Sequence, residues 1–151
     1  MTVEDVGLER WLTERGHADQ MREFLEENAQ ERAFLDLFIR ARERLKQLYA
    51  SGVPRKEKRE QKAAVFTELT QQVRALQSRQ GNHYYESWVR EGLNNAHLAS
   101  VATYYRCVPG FKRLLAEQDG DLVRFYAAAR ELSRKPRAIR HALLCTAQER
   151  P

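Results

Sequence analysis

The chain contains little that would break a helix. Its 151 residues include four prolines and seven glycines, and these fall between periodic apolar stretches. No segment alternates apolar and polar residues as a half-buried strand would, which excludes β architectures. Cysteine is scarce as well. Cys107 and Cys145 lie far apart in helical apolar patterns, with no Cys-x-x-Cys, so two buried thiols are expected instead of a disulfide or a metal site. The four histidines, His17, His83, His97 and His141, include no pair four residues apart, and none is followed by Glu. A helix-borne His-Glu-x-x-His zinc site is therefore missing, and no metal ligand is assigned. No apolar run reaches the roughly 18 residues that span a membrane. Residues 1–25 lack the basic-then-apolar order of a signal peptide. As the chain stands, the expected location is the cytoplasm.

What is present is charge. Asp, Glu, Lys and Arg make up 31% of the chain, above the usual quarter or so, which fits helices with wide solvated faces. Residues 1–53 carry 8 basic and 11 acidic side chains, and residues 54–151 carry 18 and 10. The second part is thus basic, but its cations are interleaved with acids and carry no aromatic stripe, so nucleic acid is not an expected partner. The Arg55–Lys62 run reads as a solvated arm.

Helical spacing divides the chain. A first helix covers about 2–14 and ends at Gly16. A long one follows at about 18–51. Ser51-Gly52-Val53-Pro54 breaks it, with Gly52 suited to the helix end and Pro54 to the next first turn. The next helix runs about 54–80, with Phe66, Leu69, Val73 and Leu76 at heptad spacing. So short a loop makes the two antiparallel, packed through Leu35, Phe38 and Leu45 against Phe66, Leu69 and Val73. Gly81 and Gly92 bracket a short aromatic helix. Helices at about 94–107, from Pro109 to near Gly120, from a cap at Asp119 or Asp121 to about Lys135, and from Pro136 onward complete the chain. The expected fold is all-α, a single domain over 1–151 with a long antiparallel helical hairpin at about 18–80 and a cluster of shorter helices. Trp11 and Trp88 are expected to anchor the core.

One stretch carries more than fold. Leu93-Asn94-Asn95-Ala96-His97-Leu98-Ala99-Ser100-Val101-Ala102-Thr103-Tyr104-Tyr105 continues through Val108-Pro109-Gly110-Phe111 to Asp121-Leu122-Val123-Arg124-Phe125-Tyr126. Together with Thr2–Leu12 it resembles the C-terminal part of the zinc aminopeptidases predicted in Gram-negative bacteria, metallopeptidases of the His-Glu-x-x-His type. The resemblance spans nearly the whole chain and stops where the zinc residues should be. It implies a truncated member that supplies the substrate-cleft side, with zinc and an export or lipoprotein signal in the complete protein. The chain alone should hold no zinc and be inactive. The peptide substrate belongs to the complete protein. The alternative, from a different class, is a non-catalytic helical module that binds a protein partner.

The resemblance also assigns residues. Tyr104 matches a family tyrosine whose hydroxyl would stabilise an oxyanion; otherwise it packs in the core. Asn94 caps a helix, which leaves Asn95 for the substrate backbone; the pair is expected at the substrate. Glu4 would orient a zinc ligand from behind; otherwise it is an acid favoured by a helix N-terminus. His97 stands where the family usually has Arg, and Tyr105 where many members have His. His83 sits in a loop, facing either a cleft or solvent. Loss of the upstream wall would expose Val3, Val6 or Val101 and drive self-association.

Overall fold

The computed structural model describes residues 2–145. Among the described residues there are eight helices and no strand: α1 Thr2–Arg15, α2 Ala18–Ala50, α3 Arg55–Gln80, α4 Glu86–Glu91, α5 Asn95–Tyr105, α6 Val108–Ala116, α7 Leu122–Ser133 and α8 Arg137–Cys145. The all-α class expected from the helical spacing is the class found. The chain forms two compact units. One is residues 22–103; the other joins 2–21 to 104–145.

The unit of residues 22–103 is built on the α2–α3 hairpin. Along α2, Phe34, Leu35, Phe38, Ala41, Leu45 and Leu48 are buried, and along α3 Val65, Leu69, Val73 and Leu76. The antiparallel pairing is fixed by two polar contacts. Asn82 donates to Gln30 at 3.1 Å, and Arg44 meets Glu68 at 2.6 Å. A step from 30 to 44 along α2 thus matches a step from 82 back to 68. Each fully buried Leu, Val or Phe here contributes about 1.5–3 kcal/mol.

Two expectations need correction. The buried stripe of α3 starts at Val65, 7% exposed, and not at Phe66. At 100° per residue Val65, Leu69, Val73 and Leu76 fall on one narrow face. Phe66 lies on its flank, where its ring accepts the Lys62 ammonium at 5.8 Å. The end of α2 is also not a glycine cap, since Gly52 does not take a positive φ. Lys58 donates instead to the Tyr49 and Ser51 carbonyls at 3.0 and 2.6 Å. The ammonium satisfies acceptors that the helix end leaves open. Pro54 is the N-cap of α3, one place before the first turn.

An aromatic joint ties α2 to the following segments. Tyr85 lies 5.1 Å from Phe38 and 4.9 Å from Trp88 between ring centroids. Phe34 meets Tyr84 edge-on at 5.5 Å. Tyr85 has φ 61, a costly conformation for a bulky residue, and these ring contacts offset it. Within α2, the Asn28 Nδ2 is buried with no hydrogen-bond partner among the described residues.

In the other unit α6 packs against α1, α7 and α8. Leu12, Leu115 and Phe125 are its buried hydrophobic side chains, and Phe111 meets Phe125 edge-on at 6.3 Å. Lys112 pairs with Asp5 at 2.5 Å, and Arg10 donates to the Gly120 carbonyl. Gly16, at φ 69, ends α1, with its N–H on Thr13 O and that of His17 on Leu12 O, both at 3.1 Å, a Schellman closure. Asp121 caps α7, accepting from Val123 and Arg124 N–H at 2.8 and 3.1 Å. Those donors, Arg124's foremost, hold its carboxyl below the ordinary carboxylate range.

The cysteines are not thiols. Cys107 and Cys145 form a disulfide. They are 38 residues apart in sequence, but their Cα atoms lie 4.2 Å apart, because α8 returns across α6. Gly110 makes that approach feasible. A Cβ at this position would fall on the Leu144 carbonyl, so the close contact of α6 with α8 requires the missing side chain.

Trp11 does not anchor a core. It is 47% exposed, with the His17 ring at 5.7 Å and the Arg15 guanidinium at 5.9 Å. Val101 is 2% exposed, because Leu98 and Val101, three residues apart, share the buried face of α5. Val3 and Val6 are half-buried. The apolar side chains that do face solvent include Tyr104, Val123, Tyr126 and Leu143.

Candidate functional site

The best-organised polar cluster in the 22–103 unit stands at the start of α5. Asn94 precedes the helix, and its Oδ1 accepts the Ala96 N–H at 2.9 Å. The Asn94 N–H in turn donates to His97 Nδ1 at 3.2 Å. This is a reciprocal capping box with His at the third helical position in place of Glu or Gln. Asn-x-x-His at this spacing was readable in the sequence, though its meaning as a box was missed. An Arg at position 97 carries donors only and could not accept that N–H. The opposite flat face of the His97 ring lies over Trp88, 4.5 Å between centroids and 18° from parallel.

Capping occupies Asn94 and leaves Asn95 free for another contact. Its side-chain amide lies against the Tyr49 hydroxyl, with Nδ2 at 3.3 Å and Oδ1 at 3.4 Å. Both distances are long for a hydrogen bond to a hydroxyl. Tyr49 was not singled out from sequence, and no local pattern marks it, since the contact depends on how α2 and α5 pack. Around this pair lies a groove of about 330 Å³ lined by Arg42, Leu45, Lys46, Tyr49, Asn95, Leu98 and Ala99. Leu45 and Leu98, at 2% and 3% exposure, form its floor.

Tyr104 is 65% exposed, so the core-packing role weighed for it is excluded. It lies nine residues after Asn95 on the same helix, which is two and a half turns and about 13.5 Å of rise. Glu4 lies exposed in the first turn of α1. His83 is an exposed loop residue, with Nδ1 3.2 Å from Glu86.

These positions can be set against known proteins. The family model described as "Putative aminopeptidase" matches residues 1–144. The chain belongs to this family. Its role is peptidase-related, as the resemblance of the α5 segment implies. No curated protein and no solved structure matches it. The family resemblance implies zinc, but the donor set does not fit a metal. Among the described residues no group of three or more His, Cys, Asp and Glu side chains could hold an ion. Nor is any helix among them long and apolar enough to cross a membrane.

Proposed function

We propose that this chain forms the peptide-holding side of an aminopeptidase, a hydrolase that removes N-terminal residues from peptides, with zinc ligands supplied from outside the described residues. The family match over nearly the full length carries this reading. In it, Asn95 contacts substrate and Asn94 sets the helix that presents it. Tyr104 stabilises developing negative charge, and its exposure, which leaves the hydroxyl open to a bound peptide, is compatible with that role. Were zinc bound, Glu4 would be the carboxylate of this chain that helps to orient a zinc ligand. The disulfide supports an oxidising, exported compartment.

The test is N-terminal residue release from short peptides by a form of the protein that carries zinc ligands. Release should be measurable, and Tyr104→Phe should lower kcat by about 10²-fold with KM little changed. No release from any peptide would sink the reading. A second reading, a non-catalytic helical interaction module, draws on the lack of a metal-holding cluster and would then stand.

A further inference from the structure

The α2–α5 groove has a chemistry that the capping and packing of these helices do not use. Its floor is apolar, Leu45 and Leu98. On one rim Arg42 and Lys46 stand one helical turn apart. Tyr49 continues the same face of α2, and its hydroxyl meets the Asn95 amide of α5. The two cations share one carboxylate, Glu43, at 2.8 Å from Arg42 and 3.6 Å from Lys46. Two positive groups against one negative group leave an uncompensated positive charge beside an apolar surface.

We propose that this groove binds the C-terminal end of a short peptide, the α-carboxylate on Arg42 and Lys46 and the last side chain on Leu45 and Leu98. The peptide as ligand class rests on the peptidase reading. The position within the peptide rests on the groove. An Arg fork takes a carboxylate bidentately, and the Arg42 guanidinium has five N–H donors, of which Glu43 uses few. Lys46, with 64% of its side chain exposed, adds charge without a fixed geometry. The Asn95 amide, whose contacts to Tyr49 are long, can exchange them for a peptide N–H or C=O at little cost. The volume, about 330 Å³, lies at the small end of ligand pockets, about 300–1,000 Å³, which suits one or two residues and not a long chain.

The test uses the full 151-residue chain, isotopically labelled, in an NMR titration with N-acetyl-Ala-Leu as the free acid and as its C-terminal amide. A third probe, N-acetyl-Glu-Leu amide, offers a side-chain carboxylate instead. The acid should shift the Asn95 side-chain amide and the Ala99 backbone amide, and bind at least tenfold tighter than either amide. Arg42→Ala with Lys46→Ala should bring the acid down to the level of the amides. Circular dichroism of the double variant should show the unchanged helix content expected of partly exposed positions. Equal binding of acid and amide, shifts confined to other residues, no binding, or unchanged binding by the double variant would each overturn the assignment. The acetyl group removes the free N-terminus, so none of the probes is an aminopeptidase substrate. A form carrying zinc ligands that releases no N-terminal residues would remove the peptidase reading and leave the carboxylate result standing.

Discussion

His97 performs two tasks with one ring. Its Nδ1 closes the capping box on Asn94, and its face stacks on Trp88. A hydrogen bond of this kind contributes about 0.5–1.5 kcal/mol, and a stacked aromatic pair about as much. His97→Ala should therefore destabilise the chain by about 1–3 kcal/mol in urea unfolding. His97→Gln keeps an acceptor at the third position and should recover roughly half. If Gln is no better than Ala, the box contributes nothing and the stack explains everything. Asp121 gives a pH-dependent counterpart. Its folded pKa lies below the ordinary value because the Arg124 and Val123 N–H groups, with the Arg124 and Arg10 charges, favour the carboxylate. The stabilisation is then present above the unfolded pKa of about 4 and is lost as pH falls through the lower folded value. Asp121→Asn keeps the cap acceptor but not the charge, so its stability should change less than wild type between pH 5 and 2. Identical acid curves would remove Asp121 from the account.

At the scale of elements, the difference between the read and observed stripes of α3 is testable. Val65, not Phe66, is the buried residue. A charge buried there has no partner and costs several kcal/mol. Val65→Asp should abolish cooperative unfolding of the hairpin, while Phe66→Asp, on the flank, should cost about 1–2 kcal/mol. Equal losses would mean that the stripe is wider than the burial pattern indicates. Helix existence and breaks were legible because Gly and Pro act locally: Gly16, Gly81 and Pro109 sit where their backbone preferences require. The facing register was less legible. Steps of three and four residues fit 66, 69, 73 and 76 as well as 65, 69, 73 and 76, and only the partner helix decides between them. The α2 end was misread for a similar reason. Gly52 offers a cap, but Lys58, one turn into α3, reaches back and fills the acceptors first. The site divides in the same way. Asn94 as a cap follows from its own backbone, whereas the Tyr49–Asn95 pair and the Arg42–Lys46 rim exist only once α2 and α5 have packed.

On the molecular scale the feature least visible in the sequence is the Cys107–Cys145 bond. Two cysteines in amphipathic helices look like buried thiols until it is known that α8 crosses back over α6. That crossing depends on Gly110, whose missing side chain admits the Leu144 backbone. α8 packs closely on α6 but seats little apolar surface of its own. Among its described residues none is fully buried, and Arg113 donating to the Leu143 carbonyl at 3.2 Å is one of the few polar ties. The covalent link should therefore matter more here than in a helix seated by its own apolar face. Closing a loop of 38 residues is worth about 4 kcal/mol in the chain-entropy estimate. Reduction should lower the stability of the unit that joins residues 2–21 to 104–145 by about 2–4 kcal/mol, with the hairpin of the other unit little affected. Hydrogen exchange with and without dithiothreitol at neutral pH separates the two. The α8 amides should lose protection first on reduction, while those of Leu69 and Val73 keep theirs. Gly110→Ala should produce the same loss at α8 without any reductant, because overpacking against the Leu144 backbone costs about 1–3 kcal/mol or more. Uniform loss of protection in both units on reduction would mean that the disulfide acts on the whole chain and not on the seating of α8. Unchanged protection would mean that α8 is held by its noncovalent contacts alone.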